Sequence, residues 1–190
     1  MANANFLFEF FSNYKRIGAI APSSHSLASK MVEEAYVGEA DTIAEIGAGT
    51  GAITKVILAK MRQQARLFVF EPHINFYNVL QTTMTDPRIT LLSETAQSMK
   101  EALKKYNVNS MDCIISGIPL ANFSALEQQT ILTSAYNMLR ERGRYVQFQY
   151  SLFSRKHLRA VFGNVSTSYV LRNWTPTAVY TCVKNDRTKE

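Results

Sequence analysis

The stretch Asp41-Thr42-Ile43-Ala44-Glu45-Ile46-Gly47-Ala48-Gly49-Thr50-Gly51-Ala52-Ile53-Thr54 runs a β-rich apolar segment straight into three alternating glycines and out into a helical pattern. Glycine lets the backbone turn through positive φ and approach a ligand closely, and the first amides of the helix that follows point towards it. Such a strand, turn and helix suit a nucleoside cofactor. Glycine spacing alone leaves its identity open, because Ala52 satisfies the relaxed third position of the dinucleotide fingerprint Gly-x-Gly-x-x-Gly/Ala. Glu71 closes a second apolar run about twenty residues on, where a carboxylate accepts hydrogen bonds from ribose hydroxyls.

Working outward, the periodicity alternates between β-rich and helical runs. Strands are expected near 42–46, 67–71, 88–92, 111–116 and 143–149, with helices at 51–63, 73–84, 95–106 and 124–139, and Gly143 as the stop of the last helix. A basic helix at 154–162 and two strand-like runs at 165–172 and 177–183 follow, the runs separated by Asn173-Trp174-Thr175-Pro176. The order predicts an α/β, Rossmann-like fold: a seven-stranded, mostly parallel sheet with a C-terminal antiparallel pair and helices on both faces. Ahead of it, Phe6, Leu7, Phe10, Phe11, Tyr14 and Ile17 share one helical face, and Glu9, Ser12, Asn13 and Arg16 the other. Gly18 to Pro22 breaks that helix, and Ser23 or Ser24 caps a second running to about Tyr36. The division expected is an amphipathic helix and cap segment over 1–36 and a cofactor-binding domain over 37–190.

The 190 residues are 46% hydrophobic and 19% charged, which excludes disorder, collagen and coiled coil and leaves a single globular core. Apolar runs stay well short of the roughly 18 residues that span a bilayer. The N-terminus lacks the basic-then-apolar order of a secretory signal. Cys113 and Cys182 have no metal-ligand or redox spacing and read as reduced core thiols of a cytosolic protein, with no metal expected. The net charge of +6 favours anionic partners such as nucleic acid or a phospholipid surface, with clusters at Arg140 to Arg144 and Arg155 to Arg159.

Glu45 with Gly47, Ala48, Gly49 and Gly51 resembles motif I of the class I methyltransferases that use S-adenosyl-L-methionine. Asp112-Cys-Ile-Ile-Ser116-Gly117-Ile118-Pro119-Leu120 resembles the polar-x-x-Pro motif with which amino-methylating members hold the acceptor nitrogen. Together with Phe6-Leu-Phe-Glu-Phe-Phe, Ile17-Gly-Ala-Ile-Ala-Pro-Ser-Ser24 followed by Leu27-Ala28, and Leu171-Arg-Asn-Trp-Thr-Pro176 with Ala178-Val-Tyr180, these motifs resemble the bacterial soluble-type phospholipid N-methyltransferases, which methylate phosphatidylethanolamine. The resemblance implies cofactor contacts at Gly47, Gly49 and Gly51 around the methionine moiety, at Glu71 with Pro72 on the ribose, and at Glu94 and Thr95 on the adenine. Glu94 stands where aspartate is usual, and Pro72-His73 replace an aromatic-Asp pair.

A sulfonium carries its own activation, so what remains is to present a neutral amine in line with the methyl group. A primary ammonium near pKa 10 must first lose its proton, which a desolvating pocket lined with carbonyls favours. Ser116, Gly117, Ile118 and Pro119 are the candidates for holding the amine, and Tyr150 for facing a methylated headgroup cation. His73 reads as a helix-start residue, and His25 and His157 are weaker candidates. The leader would lie at an anionic membrane surface, placing the protein in the cytoplasm at the inner face of the membrane. An rRNA adenine N6-methyltransferase is the alternative, disfavoured by Leu120 where those enzymes stack an aromatic on the base. A silent S-adenosylmethionine-binding protein and an NAD-dependent oxidoreductase stand further back.

Overall fold

The computed structural model describes residues 22–149, 155–170 and 177–185. The strands are β1 Thr42–Ile46, β2 Arg66–Phe70, β3 Ile89–Leu92, β4 Met111–Ser116, β5 Leu139–Gln149, β6 Val165–Val170 and β7 Thr177–Val183. The helices are α1 Pro22–Glu34, α2 Ala52–Lys60, α3 Ile74–Thr83, α4 Met99–Lys104, α5 Ala125–Met138 and α6 Arg155–Phe162. One seven-stranded sheet forms in the order β3-β2-β1-β4-β5-β7-β6. β1 to β5 pair in parallel, and β7 lies antiparallel between β5 and β6. The expected architecture, with its closing antiparallel pair, is what the chain adopts.

Strands covered on both faces need apolar side chains along their whole length. Alternation sends Ile43, Leu67, Val69 and Ile115 into one core with Met31 of α1, Ile57 of α2 and Leu80 of α3. It sends Ile46, Phe68, Phe70 and Tyr145 into the other, with Leu103 of α4, Ile131 of α5 and Leu158 and Phe162 of α6. Cys113 and Cys182 are free and buried in these two cores, and burial pushes each thiol up to about 12. No described helix is long and apolar enough to cross a membrane.

Two expectations need correction. Gly143 does not stop α5: the helix ends at Met138 and the chain turns straight into β5 through extended backbone at Leu139. The glycine is required instead inside the strand, where the β4–β5 register shifts, because a Cβ there would lie 2.8 Å from the Arg140 carbonyl and 3.1 Å from that of Asp112. The helix expected over 95–106 is divided into a 3-10 turn at Ala96–Ser98 and the short α4. The N-terminal signal of α5 is a capping box that the sequence reading passed over: the Ser124 hydroxyl accepts from the Glu127 amide, and Glu127 accepts from the Ser124 amide. The aromatic leader, Tyr150 and the stretch from Leu171 to Pro176 lie outside the described residues.

The basic run at 140–144 is largely absorbed by the fold. Arg140 pairs with Asp112, and Arg144 stacks on the Tyr36 ring at 3.6 Å while donating to the Glu34 carbonyl at 3.1 Å. Asp112 joins β4 to β1 by accepting from the amides of Asp41 at 2.9 Å and Thr42 at 2.8 Å and from the Thr42 hydroxyl at 3.0 Å. Partial burial opposes its ionisation, but the Thr42 amide, Arg140 and the Asp41 amide outweigh that and hold the carboxyl below its ordinary 3.8. A depressed carboxylate contributes stability that is present above its unfolded pKa and is lost as pH falls through the folded value. Replacing Asp112 by Ala should cost about 2 kcal/mol in urea unfolding at neutral pH. The gap from wild type should shrink as pH drops below 3.8.

Candidate active site at the carboxyl edge of the sheet

The chain leaves β1 for β2 on one side, and β4 then returns to the other side of β1. In open α/β sheets this switch point opens a crevice beyond the carboxyl ends of the strands. Two turns meet there. Gly47, Gly49 and Gly51 take φ of 74°, 56° and 78°, a region that costs glycine nothing. The Gly47 amide donates to the Phe70 carbonyl at 2.8 Å, and the Gly117 amide donates to the Ile46 carbonyl at 2.8 Å. The β1–β2 and β1–β4 ladders thus continue one residue past the strands. A Cβ on Gly47 would sit 2.8 Å from Ile118 Cγ1, and one on Gly117 would fall on the Gly47 carbonyl. The glycine turn and the Ser116–Leu120 loop therefore lie back to back, the Ile118 side chain against Gly47 and backbone against backbone at Gly117.

Two buried carboxylates flank the turn. Glu71, 4% exposed, accepts from the Gly49 amide at 2.7 Å on one oxygen and from the His73 amide at 2.9 Å on the other. Burial raises its pKa, and the two amides oppose that rise. Glu45 is fully buried and accepts from the Thr54 hydroxyl at 2.6 Å through Oε2. Its Oε1 has no hydrogen-bond partner. Burial first, opposed by Thr54 and reinforced by the charge of Glu71, pushes this carboxyl up to about 7. Spare lone pairs on both acids, beside a turn of positive-φ glycines, fit a ligand that carries ribose hydroxyls and a positive charge.

The other residues singled out from the sequence lie along the same edge or next to it. Ala48 is buried in the turn, and Pro72 is exposed after β2. Glu94, just beyond β3, pairs with Lys105 at 3.3 Å with both side chains partly exposed, and Thr95 opens the following 3-10 turn. His73 lies tilted against Phe76 with ring centroids 5.2 Å apart at the start of α3. His25 meets the Ser29 hydroxyl at 3.1 Å on α1. Register sets Ser116 beside Ile46 and Glu45 beside Ile115, so the serine and the acid project to opposite faces of the sheet. Ser116 is fully buried, and its hydroxyl lies against the Tyr145 phenol.

Sequence reasoning missed what holds the Ser116–Leu120 loop. Gln147 of β5 donates through Nε2 to the Ile118 carbonyl at 2.5 Å and to the Phe148 carbonyl at 3.1 Å. Its Oε1 accepts from the Tyr145 hydroxyl at 2.6 Å. Burial pushes the Tyr145 phenol far up, so it stays a neutral donor. Gln128 of α5 donates to the Phe123 carbonyl at 2.8 Å and anchors the far end of the loop. The available signal was the pair of glutamines at 147 and 149 in an otherwise apolar strand. The Ile118 carbonyl is thereby fixed in direction. No group of His, Cys, Asp and Glu side chains able to hold a metal occurs among the described residues.

This fold and edge define a class I methyltransferase that uses S-adenosyl-L-methionine. The sequence profile of the methyltransferase small domain matches residues 16–173, and the chain belongs to that family. An ornithine lipid N-methyltransferase of Singulisphaera acidiphila is 26% identical over 179 residues, 93% of each chain. The N-methyltransferase NodS of Bradyrhizobium japonicum WM9 in complex with S-adenosyl-L-homocysteine superposes with a TM-score of 0.71 at 12% identity, over 88% of this chain and 90% of that one. The 1,6-didemethyltoxoflavin-N1-methyltransferase of Burkholderia thailandensis gives 0.69 at 15% identity, over 97% and 89%.

When bound, the cofactor supplies a methyl group on a sulfonium. Glu71 and Glu45 are the side chains that would hold the ribose and the positive charge, and the contact at Gly47 and Gly117 keeps the Ser116–Leu120 loop against the glycine turn. Replacing Gly49, at φ 56°, by Leu should abolish S-adenosyl-L-homocysteine binding in calorimetry, because strain and bulk enter where the ligand backs onto the turn. Glu45 gives a second test. A carboxyl raised from 4.5 to about 7 in the folded state contributes stability that is full below its unfolded pKa and is lost as pH rises through the folded value. Thermal midpoints of the ligand-free protein should fall across that window, and Glu45→Gln should flatten the slope.

Proposed function

We propose that the chain transfers methyl groups from S-adenosyl-L-methionine to the amino headgroup of a membrane phospholipid, phosphatidylethanolamine and its methylated derivatives, at an anionic membrane surface. The observation that carries this reading is the loop: the Ile118 carbonyl is pinned by Gln147 and pressed against the cofactor turn. An amine needs only such a fixed acceptor and a dry approach to the methyl group. Leu120 argues against a nucleic-acid base in the same place, because it is fully buried in the core and offers no surface to stack on. Likeness to an ornithine lipid N-methyltransferase supports an aminolipid and makes the ornithine lipid amine the second acceptor to test.

The leader would supply membrane contact with its aromatic face, with Lys15 and Arg16 near its end, and a site on the cytoplasmic face follows from that orientation. Labelled methyl from the cofactor should enter phosphatidylethanolamine in vesicles containing anionic lipid and should not enter undermethylated ribosomal RNA. Label in RNA alone would overturn the reading. Replacing Phe6 and Phe10 together by Ser should reduce co-sedimentation with the same vesicles about tenfold or more, from the lost burial of two aromatic side chains.

A further inference from the structure

Buried polar atoms without partners are rare in native folds, so a concentration of them marks a place where something else makes the bonds. Among the described residues, four such side-chain atoms belong to Gln149, Arg155, Thr167 and Tyr180, and Ser116 lies in line with them, its hydroxyl bonded to the Tyr145 phenol. Sheet register places them together. Ser116 pairs with Gln147, Gln147 with Tyr180, and Tyr180 with Thr167, one row across β4, β5, β7 and β6. Gln149 lies two residues further along β5, on the same face and towards the carboxyl edge.

Arg155 reaches this strip from above. On α6 it precedes Leu158 and Phe162 by three and seven residues, and those two side chains pack into the core against that face of the sheet. The arginine therefore sits one turn nearer the active-site edge on the same helix face. Burial raises the pKa of the Tyr180 phenol and the Arg155 charge draws it back, so the two side chains lie in each other's field. Tyr180 is fully buried, and Gln149 is 3% exposed. The set is made of donors: the Gln149 amide nitrogen and the Arg155 Nε can only donate, and the Thr167 and Tyr180 hydroxyls donate as readily as they accept.

We propose that this strip is a subsite for the anionic group of a zwitterionic aminolipid, a phosphodiester or a carboxylate, which holds the headgroup while its amine meets the Ser116–Pro119 loop. The inference rests on reading the acceptor as a lipid amine. Ser116 and Tyr180 are separated by one strand, about 10 Å between backbones, and the long side chains of Tyr180 and Arg155 shorten that gap to headgroup dimensions. Arginine matches an anion with charge-assisted hydrogen bonds. A substrate amine arriving without its anion would leave all these donors unpaired, and that is a basis for selecting zwitterionic lipids over plain long-chain amines.

The test uses the full chain with Arg155→Gln and Tyr180→Phe. The Tyr180 hydroxyl makes no bond in the ligand-free protein, so its removal should leave the thermal midpoint unchanged and the fold intact. Methyl-transfer kinetics are measured in mixed micelles on phosphatidylethanolamine, on an ornithine lipid and on a long-chain amine with no anion. Calorimetry follows glycerophosphoethanolamine and S-adenosyl-L-homocysteine. Both variants should raise KM for a zwitterionic lipid about tenfold or more, with kcat less affected, and should leave the anion-free amine and the homocysteine ligand unchanged. A phosphodiester site shows the effect on phosphatidylethanolamine, and a carboxylate site shows it on the ornithine lipid. An unchanged KM for the lipid that wild type methylates, or an equal loss on the anion-free amine, would overturn the subsite and leave the lipid reaction standing. If wild type methylates no lipid amine yet binds glycerophosphoethanolamine through Arg155, the subsite stands and the lipid reaction falls. Neither activity nor binding would overturn both.

Discussion

The closest constraint in the molecule is the absence of space between two loops. Gly47 has Ile118 where a Cβ would be, and Gly117 has the Gly47 carbonyl. That contact exists because β1 and β4 are adjacent, parallel and in a register that continues one residue past each strand. The cofactor turn and the acceptor loop are separate in sequence by about seventy residues, and the sheet joins them at the switch point without any dedicated element. Alternating apolar side chains on both faces and the Asp112 tie between β4 and β1 serve to keep that register. A slip of one residue would reverse every side chain and separate the two glycines.

A second organising fact is where polarity is buried. The cores are apolar nearly throughout, yet Glu45, Glu71, Ser116, Gln147 and Gln149 are all buried close to the carboxyl edge. Two kinds of burial occur among them. Gln147 is fully engaged, with both amide hydrogens and its oxygen used, and it stiffens the loop it touches. Glu45 and Gln149 each leave an atom without a partner. An interior that spends desolvation without recovering it loses stability, and folds accept that where a ligand restores the bonds. The engaged groups position, and the unengaged ones wait for a ligand.

Much of the architecture was legible because its signals are local. Apolar runs of four to six residues, glycines after the first strand and a polar-x-x-Pro after the fourth are readable one segment at a time. Gly143 misled because a glycine after a helical run has two local meanings, and the choice depended on how closely β4 approaches β5, a tertiary fact. Gln147 escaped notice, and Tyr180 was read only as part of a motif, for the same reason: their meaning lies in who sits opposite, and pairing across an antiparallel insertion such as β7 is not written in either strand alone. Arg155 read as part of a basic cluster facing an anionic partner, and only the position of Leu158 and Phe162 shows that its helix face turns inward.

These placements divide the edge by function. β1, β2 and β3 present the glycine turn, Glu71 and Glu94, the residues suited to the cofactor. β4, β5, β7 and β6 present the loop, Gln147 and the strip of unpaired donors. Inserting β7 antiparallel between β5 and β6 is what gives the second half its breadth: it sets Tyr180 beside Gln147 and brings β6 and its Thr167 into the same row. A purely parallel sheet ending at β5 would have left Gln147 at an edge, exposed to water, with the Ile118 carbonyl competing for solvent. The antiparallel closure therefore does more than finish the sheet. It dries the polar row behind the acceptor loop, and a dry row is what makes a single fixed carbonyl and a set of waiting donors strong enough to orient a substrate.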